Sequence, residues 1–377
     1  MNREIYLWQK KEWPSFVWDD AQLSQCLARV HKLQGQLVGS LSMLGFDVQS
    51  LTQLEAMIDE VQKSSEIEGE FVNADSLRSS IARQLGIAGA GDNHVKDHYV
   101  EGLVEIEVDA SVNYDKGLTF ERLFCWHAAL FPTGFSGIYR ITVGDFRKGN
   151  APMQVVSGPM GKEKVHYLAP PSDVVPQMMQ DFIDWVNKTQ EIDLIIKAAV
   201  AHLWFVSIHP FDDGNGRLTR TITDMLLARA DGIPHRFYSV SAQICHEKKS
   251  YYEILEQTQK GTVEITPWLK WFVGIVDKAL TCALNKMEKV IGKHRYWQYF
   301  ANQKINERQH RILNMLWDGF EGKLTSSKWA KISKCSQDTA LRDIHDLIAK
   351  GMLKDSGEGG RSANYILVML PQSSIHN

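Results

Sequence analysis

Residues 209–220 read HPFDDGNGRLTR and place a histidine, two aspartates, a Gly-Asn-Gly and two arginines close together. Glycine lets the backbone approach a ligand closely, and Gly214 and Gly216 flank an asparagine. We expect that residue, Asn215, to cap a helix that begins just beyond it. The first turn of a helix presents unpaired amide groups and the positive end of the helix dipole, which favour a phosphate. The stretch therefore predicts an anion site.

The charged residues of the same stretch add metal binding and proton transfer to this site. Arg217 and Arg220 lie three positions apart, so they share a helical face and can direct paired donors at one polyphosphate. Asp213 precedes the first glycine, where a carboxylate can hold magnesium against the phosphates. His209 can take a proton from an incoming hydroxyl, because imidazole titrates near neutral pH. The stretch predicts a site that binds a nucleotide and its metal and activates a nucleophile.

Two other interpretations apply to these residues. His-Pro and Asp-Gly-Asn-Gly, taken singly, are typical of turns, but a turn does not explain two arginines in register. A metallohydrolase could use His202, His209 and Asp213 as ligands, since positions seven apart share a helical face. That site has no use for the arginines, and packing explains His202 on its apolar helix. The nucleotide interpretation is therefore preferred.

The stretch resembles the signature of the Fic family, H-x-F-x-D/E-G-N-G-R-x-x-R, at every fixed position. The resemblance implies a mainly α fold with a Fic-type helical core and a β-hairpin flap. It also implies transfer of AMP from ATP, with magnesium, to a Ser, Thr or Tyr hydroxyl of a target protein. His209 would be the general base, and Asp213 would bind magnesium. The implied ATP-binding residues are Phe211, which anchors the loop, with Asp212, Asp213, Gly214, Asn215, Gly216, Arg217, Arg220, Tyr251 and Tyr252, although core packing explains the two tyrosines nearly as well.

The segment 153–168, MQVVSGPMGKEKVHYL, contains two β-rich runs around a Gly-Pro-Met-Gly turn and predicts a hairpin. By the resemblance, this hairpin is the family's flap, which pairs with an extended segment of the target. Val155 and Val156 are then the target-docking candidates. Without the resemblance, the segment would be interpreted as an ordinary surface hairpin.

A second motif, SSEIEGE at 64–70, lies at the end of a predicted helix. The helix should bury one face, formed by Leu51, Leu54, Met57, Ile58 and Val61. Glu68 lies seven positions beyond Val61 and is therefore expected on the buried face, which is costly for an unpaired carboxylate. Gly69 resembles a helix terminator, so the negative end of the helix also faces Glu68. An arginine partner would resolve both problems.

The Fic family has an inhibitory helix with the pattern S/T-x-x-x-E-G/N, which Ser64, Glu68 and Gly69 match. The resemblance implies that Glu68 pairs with Arg220 and keeps the γ-phosphate of ATP out of its productive position. In some members the same glutamate positions water that removes AMP from a target, so de-AMPylation is an alternative function. Transfer of UMP, GMP or another phosphate-containing group is a further alternative, because the motif recognises phosphates.

Composition limits the other function classes. The chain has 377 residues, of which 44% are hydrophobic and 23% charged, with a net charge of −3, so it can form a large core but has no overall basic field. Its five cysteines are scattered and form no C-x-x-C pair, which predicts neither a disulfide framework nor a zinc site. The start, MNREIYLWQKKEW, lacks the apolar run of a signal peptide, and we expect a cytoplasmic protein without a membrane span.

Most of the chain is predicted to be helical, and three domains are expected. Residues 1–110 form an N-terminal helical extension with the inhibitory motif and resemble the extension of many bacterial Fic proteins. Residues 111–298 form the Fic catalytic domain, with helices over about 176–187, 219–231 and 267–290 and a further helix in IDLIIKAAVAHLWFVSIHP.

Residues 299–377 contain three predicted helices and a Gly-rich hairpin, which indicate a winged helix-turn-helix. Candidates for DNA contact are Gln337, Asp338, Thr339, Arg342 and Arg361, with a modest basic patch of Lys328, Lys331, Lys334 and Lys350. Asp338, Asp343 and Asp346 should oppose phosphate. DNA binding is thus possible but not favoured over protein docking or a spacer role. A homodimer is also possible, because family members often dimerise.

Overall fold

The computed structural model describes residues 5–42, 44–87, 97–158, 162, 164–188, 191–234, 236–357 and 363–370, with only the backbone at 46 and 47. In these ranges the fold is mainly α, as predicted, and the strands form two-stranded antiparallel hairpins. The chain divides into two compact units, Met1–Leu284 and Asn285–Asn377. None of the described helices is long and apolar enough to cross a membrane.

The first unit contains eleven α-helices within the described ranges, the last of which contributes residues to both units. They are α1 (Asp20–Ser42), α2 (Phe46–Ile67), α3 (Ala74–Gln84), α4 (His98–Val112), α5 (Phe120–Leu130), α6 (Val175–Asn187), α7 (Leu194–Ile208), α8 (Asn215–Asp231), α9 (Val240–His246), α10 (Lys248–Gln259) and α11 (Thr266–Tyr299). Its strands are β1 (Phe135–Ser136), β2 (Tyr139–Arg140), β3 (Gln154–Ser157) and β4 (Lys164–Leu168). The predicted hairpin at 153–168 is confirmed as β3–β4.

Helix α7 forms the centre of this unit and positions the motif. It is mostly apolar, and all its residues after Leu194 are buried, as expected for a helix enclosed by others. The Asp193 side chain accepts hydrogen bonds from the amides of Ile195 and Ile196 and so caps the first turn. Helix α7 packs against α6 and α8, and the HPFDDGNGRLTR loop joins α7 to α8.

Two helices are longer than predicted. Helix α8 begins at Asn215 rather than near Thr219, because Gly214 adopts a left-handed conformation and serves as its N-cap. Helix α11 continues to Tyr299 rather than ending near Val290. Its last turns carry apolar residues of the second unit's core, including the fully buried Tyr296, so packing extends the helix.

The predicted buried face of α2 is partly wrong. Leu54, Met57, Ile58 and Val61 are buried, but Leu51 is 53% exposed. Among the described side chains of α2, burial begins only at Gln53, so the turn that carries Leu51 precedes the covered part of the helix.

The second unit contains α12 (Glu307–Trp317), α13 (Ser326–Ser333), α14 (Gln337–Ala349) and a hairpin of β5 (Leu353–Asp355) and β6 (Tyr365–Leu367). The side chains of Asn306, Thr325 and Ser336 cap the three helices. Trp329 is fully buried in the core beneath them. These elements match those predicted.

The placement of the acidic residues in this unit corrects one expectation. Asp343 is buried and accepts hydrogen bonds from Arg308 at 2.9 and 3.1 Å, so it does not oppose phosphate at the surface. Lys350 donates to Asp346 and to the Lys304 carbonyl, which removes it from a free basic patch. Arg361 lies outside the described residues.

Candidate active site

The motif loop depends on two left-handed residues. His209 ends α7 with φ 52° and ψ 59°, and Gly214 precedes α8 with φ 80°. A Cβ at Gly214 would lie 2.8 Å from Phe131 Cε2, so both the conformation and the space require glycine there. Leu218 donates the first helical hydrogen bond, to the Gly214 carbonyl. The amides of residues 215–217 therefore have no helical acceptor and form the positive end of α8, where the anion site is predicted.

Asn215 has a different role from the predicted helix cap. It is the first residue of α8, and its side-chain amide accepts from the Phe211 amide at 3.0 Å and donates to the Phe211 carbonyl at 2.8 Å. Phe211 is fully buried, and its ring stacks on His127 at 4.2 Å. The two hydrogen bonds between Asn215 and Phe211 close the loop. The Asn215 side chain can form them because Gly214, not Asn215, is the N-cap of α8.

His209 has the protonation state of a base at neutral pH. Its Nδ1 lies 3.3 Å from the Val206 carbonyl oxygen, which assigns the ring proton to Nδ1 and leaves the Nε2 lone pair available. Burial lowers the pKa of His209 to about 4, and the Arg147 charge acts in the same direction. The Val206 carbonyl, Glu68 and Asp213 raise it, but less than burial lowers it. The imidazole is thus neutral at pH 7.

Asp213 presents a carboxylate beside the first turn of α8. One oxygen accepts from the Gly214 amide at 2.5 Å, and the other accepts a short hydrogen bond from the Ser136 hydroxyl. The side chain is 42% exposed. Magnesium binds through one or two carboxylates, with phosphate and water completing its shell, so this donor set fits the ion. Ser136 was missed because nothing in its sequence context indicates this contact.

Arg220 is buried and held by the motif at 64–70. Its Nε donates to the Ser64 hydroxyl at 2.8 Å, and its Nη2 donates to the Ser64 carbonyl at 2.9 Å and to Glu68 Oε1 at 2.8 Å. Although burial opposes the charge, Glu68 raises the pKa of Arg220, which remains a cation. The predicted partner of Glu68 is therefore present.

Glu68 itself is not buried as its spacing predicted. Helix α2 ends at Ile67, so Glu68 is the C-cap and its side chain is 33% exposed. Gly69 follows with φ 84° and terminates the helix, as expected. A Cβ at Gly216 would lie 2.1 Å from Glu68 Oε1. The carboxylate therefore occupies the first turn of α8, where a phosphate was predicted.

Arg217 is held by a second carboxylate that the sequence analysis did not single out. Its Nη1 donates to Glu70 Oε2 and contacts the Tyr99 hydroxyl, both at 2.9 Å, and Tyr99 also donates to Glu70. Burial, the largest cause, and Glu70 raise the pKa of Tyr99 to about 12, so its hydroxyl stays protonated. The guanidinium is 5.0 Å from the Phe131 ring centroid. Each motif arginine is thus paired with a carboxylate that follows α2, Arg220 with Glu68 and Arg217 with Glu70.

His202 lies on α7, and Tyr251 and Tyr252 lie on α10. His202 is fully buried, with Thr223 Oγ1 at 2.9 Å and the Tyr251 hydroxyl at 3.0 Å from its two ring nitrogens. Tyr251 is buried, whereas Tyr252 is 42% exposed. Within the described ranges, no group of three or more His, Cys, Asp or Glu side chains could hold a metal ion. His202 is a packed histidine, as its apolar helix predicted, and the metallohydrolase interpretation gains no support.

The β3–β4 hairpin offers one exposed valine and one inward valine. Val155 packs against the cluster around Tyr6 and Tyr167, whereas Val156 is 46% exposed. The pairing register shifts between them. His166 bridges the Ser157 hydroxyl at 2.6 Å and Glu256 of α10 at 2.7 Å, which ties the hairpin to the helical core.

The helical core, the hairpin and a His-to-Arg loop at a helix N-terminus place the chain in the Fic fold class. A Fic family protein from Desulfovibrio desulfuricans G20 has a similar fold, with a TM-score of 0.53 and 17% identity, covering 93% of this chain and 97% of that one. A Fic domain containing signaling protein from Bacteroides thetaiotaomicron VPI-5482 gives a TM-score of 0.50 and 16% identity, covering 71% and 97%. At these identities the likeness concerns the fold alone.

Sequence comparison matches two segments of the chain to domain families. Residues 117–227 match the Fic/DOC family model, and residues 6–87 match a domain of unknown function, DUF4172. The chain is 27% identical over 229 residues to the protein adenylyltransferase Fic of Culex quinquefasciatus and 26% identical over 228 residues to that of Drosophila willistoni. These matches cover 60% of this chain and 41% of each relative. The similarity to the Fic/DOC family thus concerns residues 117–227, the segment that contains the motif loop.

Proposed function

We propose that the protein is an adenylyltransferase that moves AMP from ATP to a Ser, Thr or Tyr hydroxyl of a target protein. The observation that carries this proposal is the neutral His209, whose Nε2 is available at the loop that leads to the N-terminus of α8. Relatives named protein adenylyltransferase Fic support AMP as the transferred group and ATP as its source.

The proposed reaction is a displacement at the α-phosphorus. The target oxygen forms a bond to phosphorus, the bond to the β-phosphate oxygen breaks, and pyrophosphate leaves. His209 Nε2 accepts the proton of the attacking hydroxyl, because its other nitrogen already donates to the Val206 carbonyl. The amides at the start of α8, with Arg217 and Arg220, bind the phosphates.

Asp213 is the proposed magnesium ligand, with the Ser136 hydroxyl beside it. When bound, the ion supplies positive charge that neutralises the phosphates. Tyr252 remains a proposed nucleotide neighbour, since it is partly exposed and lies near enough to Glu68 and Arg220 to be influenced by their charges. Asp212 accepts from the Thr142 amide at 2.8 Å, so its proposed contribution is to hold the loop.

We further propose that the resting enzyme is autoinhibited. Glu68 engages Arg220 and lies over Gly216, so its carboxylate competes with a phosphate for the same donors. Glu70 engages Arg217 in the same way. Release of Ser64, Glu68 and Glu70 from the arginines would open the site to ATP in its productive orientation.

The β3–β4 hairpin is the proposed docking place for the target. A target segment can add a strand to a hairpin through backbone hydrogen bonds, which explains loose sequence requirements. Val156 can contact the target with its side chain, whereas Val155 can contribute only backbone groups, because its side chain packs inward.

Removal of AMP from a modified target is a second candidate at the same site. The partly exposed Glu68 carboxylate beside Gly216 favours it, because a carboxylate there can order a water near the phosphate. The test is release of AMP from an AMP-modified protein on addition of the wild-type chain. Other nucleotides remain candidate donors, and competition among ATP, GTP and UTP for binding distinguishes them.

The three helices and hairpin of the second unit support a winged helix-turn-helix, for which we propose protein docking or a spacer role. Gln337, Asp338 and Arg342 are exposed on α14 and remain the candidates for DNA contact. A salt-dependent shift of duplex DNA would favour a regulator instead. The domain limits 1–110, 111–298 and 299–377, a homodimer and a cytoplasmic location are likewise proposals.

Labelled ATP tests the proposed transfer. We expect Glu68→Ala protein, incubated with magnesium, to retain label from α-phosphate-labelled ATP and none from γ-labelled ATP. Label from the γ-phosphate would indicate phosphoryl transfer and contradict the proposal. Ser-, Thr- and Tyr-containing peptides serve as added acceptors.

A further inference from the structure

A buried arginine outside the family signature holds the loop that carries the base. Arg147 lies in the segment after β2 and is 5% exposed. Its Nε donates to the His209 carbonyl at 2.8 Å, and its backbone amide donates to the Pro210 carbonyl at 2.9 Å. One residue therefore binds two successive carbonyls of the loop.

These hydrogen bonds hold the loop at His209, which has an unfavourable backbone conformation. His209 has φ 52°, a left-handed conformation that is unfavourable for a residue other than glycine. Such a conformation persists only where its surroundings fix it. Arg147 fixes the carbonyl of His209 itself, whereas Asn215 fixes the loop further along, at Phe211.

The same guanidinium reaches the base of the hairpin. Arg147 Nη2 donates to the Pro170 carbonyl, just beyond β4. Ala169 donates to the Met153 carbonyl at 2.9 Å, which closes the hairpin at that end. Arg147 thus connects the loop of the base directly to the hairpin on which the target is proposed to dock.

We propose that Arg147 is a positioning residue: it fixes His209 in its left-handed conformation and sets the imidazole at a defined place relative to the β3–β4 hairpin. The inference rests on the proposed AMP transfer, in which the base must meet a hydroxyl brought by that hairpin. Small errors of placement are costly, since about 1 Å of displacement can reduce a rate roughly 100-fold.

Arg147 also acts on His209 through its charge, and this effect can be tested separately from its hydrogen bonds. Its positive charge lowers the pKa of His209, against the opposite influence of Glu68 and Asp213. Arg147→Lys keeps the charge but loses the planar donor set that reaches two carbonyls at once. Arg147→Gln loses the charge as well. The two variants should therefore differ in their pH profiles.

The experiment compares these variants in the Glu68→Ala background. We expect Arg147→Lys to reduce kcat by about 10- to 100-fold with little change in the KM for ATP, because the phosphate-binding groups are untouched. Arg147→Gln should, in addition, move the acid limb of the kcat/KM profile to higher pH. The matched control is Arg122→Lys, because Arg122 also donates to backbone carbonyls, of Asp109, Asn113 and Lys116, away from the loop.

The outcomes separate this inference from the proposed function. Unchanged kcat in folded Arg147 variants, or a loss that Arg122→Lys shares at equal Tm, overturns the positioning role. A Glu68→Ala parent without His209-dependent AMP transfer overturns the proposed function instead. In that case NMR titration of His209 still tests the placement of the base: its pKa should rise in Arg147→Gln, and an unchanged pKa and ring tautomer in both variants would contradict it.

Discussion

Replacement of Glu68 by alanine measures the strength of the proposed inhibitory contact. The change removes the hydrogen bond from Arg220 Nη2 to Glu68 Oε1, at 2.8 Å, and leaves both bonds from Arg220 to Ser64. Hydrogen bonds to charged groups contribute about 1.5–3 kcal/mol. Because the Glu68 side chain is 33% exposed, water screens the pair and the lower figure applies.

A loss of about 1.4 kcal/mol corresponds to a tenfold change in an equilibrium constant. We therefore expect the initial rate of AMP incorporation, at ATP concentrations below KM, to rise about tenfold over wild type. The assay is the time course of label transferred from α-phosphate-labelled ATP, with ATP binding measured in parallel.

Glu66→Ala is the matched control for this comparison. The Glu66 side chain is also 33% exposed and paired, but with Lys63 at 2.5 Å rather than with a motif arginine. Its loss should leave the transfer rate unchanged. Equal rates for wild type and Glu68→Ala, or equal increases in the two alanine variants, would refute the inhibitory role of the Glu68–Arg220 pair.

Three further outcomes are expected. Glu70→Gln should raise the transfer rate by no more than about fivefold, because its pair with Arg217 is more exposed, and a fall in rate would contradict the second contact. Asp213→Asn should abolish magnesium-dependent turnover while keeping the fold, and wild-type turnover at equal magnesium would place the ion elsewhere. The free energy of unfolding should fall as pH drops from 6.5 toward 3. Burial lowers the pKa of His202 to about 3 and that of His209 to about 4, so the unfolded chain binds more protons than the folded one in this range. Equal stability at pH 7 and pH 4 in urea titrations would contradict these shifts.

The parts of the site that local sequence determines were predictable. The motif loop, the helix after it and the pairing of Glu68 with Arg220 followed from spacing, from glycine and from the family resemblance. Helix type was also predictable, because α7 is mostly apolar and α2 carries a periodic apolar face from Leu54 to Val61.

The remaining contacts join residues far apart in the chain, and no periodic pattern marks them. Glu70 and Arg217 are separated by 147 positions, and Arg147 and His209 by 62. Exposure of Leu51 depends on where neighbouring helices begin to cover α2, which spacing alone does not reveal. Asn215 was misassigned because the left-handed Gly214 took the cap position and freed its amide to close the loop.

His209 is proposed to accept the proton of the target hydroxyl during AMP transfer from ATP. The most direct test is intact-mass spectrometry of Glu68→Ala and of Glu68→Ala with His209→Ala, each incubated with ATP and magnesium while pyrophosphate is measured. An AMP-sized addition on the single variant, matched by pyrophosphate and absent from the double variant with ATP binding retained, is the predicted result. Equal AMP incorporation by the two proteins would contradict the account.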